Sequence, residues 1–416
     1  MELKYDIGIV GSGPAGYTAA LHYAKKGLSV VVFEKDNIGG VCLNKGCIPT
    51  KAILHCAELY EEIKTSEKLG ITASDISADF GKIMEYKQVI VEKLRRGLEL
   101  SLKNSGVTII NAVAKVIDKN TIKADNHTYL CGEIIAATGS EPRSLKGLDF
   151  NHNNILSSDD ILNLNEIPKN IIIIGSGAIG IEWARIFAAL GSEVSIIELA
   201  ENLLPIADIE VSKRIERIFK QKKIKIYKAA AVEQIDCSSK CTVKLNNGEE
   251  LETEKVLVAI GRQITDPNKI AGVSYIGDVC GEIQLAHYAS KQAIELADGI
   301  KFDKTLVPSV IYGTPEIAWV GKREQDLEEG TYKKSMLLIS ALGKSHCDNA
   351  TDGFIKLLEQ NGKIVGAHIV SKEASALIQQ IIIAMQNNIG ADKLKEVCFA
   401  HPTYSEGIFE ALFGLQ

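Results

Sequence analysis

Cys42 and Cys47 are the residues best equipped for chemistry in this chain. Leu43-Asn44-Lys45-Gly46 separates them, within a stretch running from Gly39 to Lys51. In a regular helix five residue steps span roughly 7.5 Å along the axis, whereas a disulfide tolerates Cα separations of about 4.4–6.8 Å. A bridge therefore needs bent backbone, and Gly46 supplies the freedom to bend. A strained bridge is easily reduced, which suits a working redox couple better than a structural staple. The bland alternative is two ordinary buried thiols. Exchange between thiols and disulfides runs through a thiolate, so a base is required. Among eight histidines His401 is the best placed, although a lone histidine in such a turn is as readily structural. It opens the turn His401-Pro402-Thr403-Tyr404-Ser405-Glu406, where Glu406 can orient the ring and stabilise its charged form. Thr403 and Glu406 also have capping-box spacing, so the glutamate can serve a helix start as well.

The elements that must position these groups carry a nucleotide signature, and they carry it twice. Residues 6–34 read as a buried strand, a turn with Gly11, Gly13 and Gly16, a helical run, and a second buried strand ending in Glu34. In that reading Gly11 permits the turn, Gly13 lets backbone approach a pyrophosphate, and Gly16 lets helix pack on strand. Free amides at the helix start hold phosphates, and Glu34 accepts hydrogen bonds from ribose hydroxyls. The pattern returns with Gly175, Gly177, Gly180 and Glu198, and in both copies the acid follows the first glycine by 23 residues. A single glycine fingerprint is weak; two in strand–turn–helix–strand context are strong. Glu198 would bond a free 2′-hydroxyl and repel a 2′-phosphate, and Leu199 to Leu204 hold no Lys or Arg. NAD is therefore expected over NADP.

Two dinucleotide sites plus a redox pair resemble the pyridine nucleotide-disulfide oxidoreductase family of flavoproteins, and within it the branch that oxidises dihydrolipoamide. The likeness also rests on Ala137-Thr138-Gly139-Ser140, Gly175 to Glu182, Ala259-Ile260-Gly261-Arg262, Ile276-Gly277-Asp278-Val279, Leu285-Ala286-His287, Gly366 to Val370 and the His401 to Glu406 stretch. The resemblance implies FAD on the first fingerprint, with Gly40, Thr138, Gly139 and Ser140 lining its site, and NAD on the second, with Glu182 and Gly261 nearby. It implies that Lys51 sits near the flavin and pairs with Glu182, that Asp278 bonds the ribityl chain, that Ala114 offers backbone to the adenosine half, and that Leu285 to His287 close over the ring. It further implies a homodimer whose C-terminal domain completes the partner's site. There His401 would deprotonate dihydrolipoamide, Cys42 would take the attack as the outer sulfur, and Cys47 would pass the electron pair to FAD and so to NAD+. Lys51 and a helix-start dipole would keep the Cys47 thiolate charged. Asp278 could instead merely cap the helix after it, and His287 is as readily a helix-start histidine satisfied by backbone.

The fold class expected is α/β: two Rossmann-like dinucleotide-binding domains plus a C-terminal α+β dimerisation domain. The boundaries expected are 1–142 for FAD, 143–262 for NAD, 263–299 for a second FAD segment and 300–416 for the interface. At 416 residues the chain exceeds one core. A net charge of -6 gives no basic footprint for nucleic acid. The longest apolar runs fall far short of a membrane span, and the first strand begins too early to leave room for a signal peptide. Nine cysteines are otherwise scattered. Cys237 and Cys241 share a polar turn, but no second pair or histidine pair completes a zinc site, so no metal is expected. A reducing cytoplasm with one deliberate redox pair follows. Three departures from the family stand out. Only Gln263 to Tyr275 separate Arg262 from Ile276-Gly277-Asp278, so a strand or hairpin is expected to be lost and the grip on FAD reduced. Gln284 replaces a usual Met, and Ala376 a usual Glu. The resemblance implies lipoyl-bearing domains of 2-oxo acid dehydrogenase or related complexes as partners. Other readings are another NAD(P)H-dependent disulfide reductase of the family, or a degenerate flavoprotein that binds a partner, such as an acyltransferase complex, without turnover. A C-terminal cysteine pair, a missing first cysteine or an NADPH preference would mark the rival enzymes; Cys42 and Glu198 argue against the last two.

Overall fold

The computed structural model describes residues 2–238, 240–265 and 268–415. Each fingerprint becomes a parallel sheet whose inner strands are buried on both faces, as their unbroken apolar runs require. The first sheet runs in the order Thr108–Asn111, Val30–Glu34, Glu2–Val10, His127–Ala136, Thr121–Ala124, Ala114–Asp118. Its first four strands are parallel and the last two are added by antiparallel hairpins. Helix Pro14–Lys25 packs on helix Ala286–Asp298, where Ala15, Ala19, Ala289 and Ala293 keep the two axes close. The second sheet is all parallel: Lys225–Tyr227, Glu193–Ile197, Asn170–Ile174, Lys255–Val258, Ile155–Leu156.

A three-stranded antiparallel sheet follows in Val232–Asp236, Cys241–Leu245 and Glu250–Thr253. Its first hairpin corrects one expectation. Cys237 and Cys241 are not scattered thiols; the turn brings their Cα atoms to 4.0 Å and they are bonded to each other. The chain therefore has a second sulfur pair, remote from the first.

The shortened segment after Gly261 keeps both of its connections. Arg262–Ile264 pairs antiparallel with Ser140–Pro142, tying the two nucleotide units together. Ser274–Tyr275 then joins the first sheet beside His127–Ala136. The C-terminal part is an antiparallel sheet ordered Ser309–Ile311, Glu316–Gly321, Lys363–Ser371, Phe354–Gln360, Lys333–Leu338. Helices Ala374–Gln386 and Glu406–Phe413 pack against it. One continuous core joins Ile53, Leu54 and Ala57 to Trp183 and Phe187 of the second unit and to Ile311 and Ile317 of the third. That core fixes helix Cys47–Lys64, and hence the cysteine pair, against everything around it. Among the described residues no helix is long and apolar enough to cross a membrane.

Candidate functional site: a thiol pair in a dinucleotide cleft

The first fingerprint is built by close approach. A Cβ on Gly11, which has φ +96°, would lie 2.3 Å from the Ala137 carbonyl oxygen, and one on Gly16 would lie 1.9 Å from that of Gly11. Gly13 and Gly40 meet backbone to backbone: a Cβ on Gly40 would fall 2.6 Å from Gly13 Cα. Helix Pro14–Lys25 starts at Gly13 with no side-chain cap and no acid in its first turn. Its free amides and positive dipole end therefore face open space. Glu34 is buried and accepts hydrogen bonds from the Ser12 amide, the Ser12 hydroxyl and the Asp36 amide. Gly11, Ser12, Gly13, Glu34, Asp36 and Gly40 line a cleft of about 1690 Å³, shared with Ala114, Thr138, Gly139, Ser140, Asp278 and Leu285 to His287. Gly16 lies behind it, as a helix–strand packing glycine must.

The cleft fits a flavin dinucleotide on three further grounds. Its volume exceeds that of an ordinary ligand pocket. Thr138 Oγ1 and Asn44 Oδ1 on its wall are buried without a hydrogen-bond partner, which a polar ligand would supply. Asp278 does not cap the following helix; its Oδ2 accepts from Ser140 Oγ at 2.6 Å, with the carboxylate turned to the cleft. His287 behaves as the bland reading requires, with Nε2 hydrogen-bonded to the Pro308 carbonyl at 2.8 Å.

The cysteines sit at a break between two helices. Helix Gly40–Lys45 carries Cys42, Gly46 ends it, and helix Cys47–Lys64 begins on Cys47 itself. A Cβ at Gly46 would lie 3.1 Å from the Val41 carbonyl oxygen and 3.3 Å from Cys42 Cα, so the bend that brings the sulfurs together leaves little room for a larger residue. Both stand as free thiols in one hydrogen-bonded pair. The hydrogen bond from Cys42 holds Cys47 down to about 7 against its burial, and the Lys51 ammonium adds to the effect. The same bond, together with burial, pushes Cys42 well up. One sulfur is thus prepared as the thiolate and its neighbour as the thiol. Lys51 Nζ donates to both oxygens of Glu182 at 2.8 and 2.9 Å, across the boundary between the first two units. Glu182 is buried, whereas Lys51 is nearly a third exposed on the side of the cleft.

Tyr312 joins this group and was not visible as a site residue in the sequence. Its amide donates to Glu182 Oε1 at 3.1 Å, and the Lys51 ammonium lies 4.8 Å from its ring centroid. An isolated tyrosine in an apolar strand gives no signal of such a role. Arg262 is a second addition: it donates to the hydroxyl and the carbonyl of Ser140 in the cleft wall.

The second fingerprint repeats the construction. A Cβ on Gly180 would lie 2.0 Å from the Gly175 carbonyl oxygen, whereas Gly177 faces open space. Helix Ala178–Leu190 begins on Gly177 without a side-chain cap or first-turn acid. Glu198 accepts from the Ser176 amide and hydroxyl and from the Ala200 amide. Gly261, at φ +101°, follows the neighbouring strand Lys255–Val258. Gly175, Gly177, Gly180, Glu198 and Gly261 lie outside the lining of the cleft, whereas Glu182 on the same helix reaches into it. His401 lines neither. It is exposed, with Nδ1 2.7 Å from Glu406 Oε1, while Glu406 Oε2 accepts from the Thr403 amide at 2.8 Å. The carboxylate thus orients the imidazole and ties down the turn before the helix, but the expected capping box does not form: the helix starts on Glu406 with Ser405 at its N-cap and no side-chain cap.

Two parallel dinucleotide units, a thiol pair in the first and an antiparallel third unit define a class, and comparison with known proteins agrees. Residues 5–273 match the family described as pyridine nucleotide-disulphide oxidoreductase, and residues 307–412 match that family's dimerisation domain. The chain belongs to this family of flavoprotein oxidoreductases, which use FAD and NAD(H). It is similar to the dihydrolipoyl dehydrogenase of Bacillus subtilis (strain 168), at 33% identity over 99% of this chain and 98% of that one. It is 35% identical to the dihydrolipoyl dehydrogenase of Mycoplasma genitalium, over 97% of each chain. Among solved structures, LpdA from Mycobacterium tuberculosis superposes with a TM-score of 0.90 at 24% identity, covering 99% of both chains, which shows the fold.

Proposed function

We propose that the protein oxidises dihydrolipoamide, presented on a lipoyl-bearing domain of a 2-oxo acid dehydrogenase or related complex, with NAD+ as final acceptor. The observation that carries this reading is the polarised thiol pair: Cys47 held toward its thiolate by Cys42 and Lys51 inside the flavin-sized cleft. The full-length likeness to dihydrolipoyl dehydrogenases supports the substrate.

Bound FAD would supply two-electron transfer between a thiolate beside it and a nicotinamide. Gly11, Gly13, Gly40 and Glu34 would hold its diphosphate and ribose, with Ala114, Thr138, Gly139, Ser140, Asp278 and Leu285 to His287 around the remainder. Gly175, Gly177, Gly180, Glu198 and Gly261 would hold NAD. In the oxidised enzyme Cys42 and Cys47 form the disulfide. His401 of the partner subunit, oriented by Glu406, takes the proton from one substrate thiol. The resulting thiolate attacks Cys42 Sγ; the Cys42–Cys47 bond breaks and Cys47 leaves as a thiolate, paired with Lys51. The second substrate thiol attacks its own partner sulfur and closes the lipoamide ring; its proton passes to the expelled Cys42, while the imidazolium keeps the first. Substrate loses two electrons and two protons, and the protein disulfide gains the electrons. Glu182 holds Lys51 against Cys47 throughout. We place the units at 1–142, 143–262, 263–299 and 300–416, and the site of action in the cytoplasm.

The test is anaerobic stopped-flow reduction. Dihydrolipoamide should reduce the protein far faster than glutathione does, and NADH should do so far faster than NADPH. A preference for glutathione with NADPH would overturn the substrate assignment, and no reduction by any dithiol would overturn the enzyme reading.

A further inference from the structure

Arg185 stands outside all of the chemistry above. It lies one helical turn beyond Glu182 on helix Ala178–Leu190 and is almost wholly buried. Burial draws its guanidinium down to about 10, so it remains a cation at neutral pH. Its Nη1 donates to the backbone carbonyls of Tyr312 at 3.3 Å and Pro315 at 2.8 Å, while Nε and Nη2 have no hydrogen-bond partner. A surface arginine would satisfy all its donors in water; one buried with two unpaired is held there by its surroundings. The surroundings are cut to admit it. Gly313 has φ +138°, and a Cβ there would lie 2.1 Å from Arg185 Nη1. Glu58 and Glu61 of helix Cys47–Lys64, with Thr314, border a small cavity beside it, and the charges of Glu58, Glu182, Glu61 and Glu316 favour its cation.

The segment it grips is the one that braces the lysine–glutamate pair. Tyr312 gives its amide to Glu182 and its ring to Lys51, and its carbonyl is held by Arg185. We infer that Arg185 is a positioning residue for the redox pair. By pinning Tyr312 to Pro315 and by sharing the charge of Glu182, it leaves the Lys51 ammonium free to stabilise the Cys47 thiolate. Without it, Glu182 takes the lysine's charge to itself and the thiolate loses support.

The inference rests on the reading of Cys47 as the thiolate beside the flavin, and its test separates the two. The reduced holoenzyme is titrated with acid while its long-wavelength thiolate-to-flavin absorbance is followed, for wild type, Arg185→Met, Arg185→Lys and Gly313→Ala. In Arg185→Met and Gly313→Ala the midpoint should rise by about one pH unit, with turnover falling about fivefold at pH 7 and the KM for NADH unchanged. Arg185→Lys should recover part of the shift. Midpoints equal to wild type in all three variants, with only the melting temperature lowered, would overturn the inference and make Arg185 structural. If Arg185→Met does not fold, the Gly313→Ala and Arg185→Lys midpoints decide alone. A wild type with no such absorbance at any pH would overturn the reading of Cys47 instead.

Discussion

Replacing Lys51 by Met removes a cation that faces both Glu182 and Cys47, with two consequences of calculable size. Glu182 is buried and accepts both lysine hydrogen bonds. Breaking a buried pair from one side costs on the order of 3–5 kcal/mol; Lys51 is nearly a third exposed, and the Tyr312 amide remains on the carboxylate, so the lower end is expected. The chemical consequence is read directly in turnover. With Cys47 near about 7, roughly three quarters of it is thiolate at pH 7.5, whereas roughly a tenth of an ordinary thiol is. Losing Lys51 leaves both burial and the Glu182 charge pushing upward, so thiolate and lipoamide turnover should fall by about tenfold or more. The assay pairs that turnover with an acid titration of the thiolate absorbance in the reduced holoenzyme. The midpoint should climb by more than a unit while bound FAD is retained. A variant that titrates like wild type would refute the claim that Lys51 stabilises this thiolate.

Other outcomes follow from the same structure. Gly16→Ala drives a Cβ into the Gly11 carbonyl and should yield protein that does not retain FAD, whereas Gly180→Ala, with the matching clash at Gly175, should keep its yellow colour and lose NADH binding; absorbance spectra and NADH titration read both. NADH should be used over NADPH by about a hundredfold or more in kcat/KM, and Glu198→Gln should reduce that ratio, because the carboxylate both bonds the 2′-hydroxyl and repels a phosphate. His368 is fully buried beside Asp208 and Lys356, and burial draws it from 6.5 down to about 4. The unfolded chain therefore binds its proton first, and the stability present above pH 6.5 is lost as pH falls toward 4, by up to about 3 kcal/mol; thermal unfolding of His368→Gln against wild type over that range should show a shallower decline.

Much of this architecture was legible because its signals are local. The two glycine turns, the acids 23 residues on, and runs such as Ile171 to Ile174 and Val256 to Val258 each declare a buried parallel strand or a strand–helix corner without reference to the remainder. The C-terminal sheet was only half visible. Strands Glu316–Gly321 and Lys333–Leu338 carry little local signal: the first opens on a glutamate after Pro315, and the second begins with two exposed lysines and mixes exposed and buried positions without a clean period of two, as an edge strand can. The hairpin holding Cys237 and Cys241 went unread because its strands mix Glu, Gln and Lys with apolar residues. In the site, residues inside motifs were readable, and Gly46 was readable from the geometry of a bridge. Tyr312 and Arg185 were not, because their roles arise only when the third unit packs against helix Ala178–Leu190. The suspected weakness after Arg262 is met by two short pairings that no periodicity announces.

Anaerobic titration of the purified yellow protein with NADH or dithionite tests the central claim most directly. The first electron pair should go to the sulfur couple and raise the long-wavelength thiolate absorbance, and a second pair should then bleach the flavin. Cys42→Ser and Cys47→Ser should each take up a single pair and lose lipoamide turnover. Bleaching of wild type by one electron pair with no such absorbance, or full turnover in either serine variant, would contradict the account.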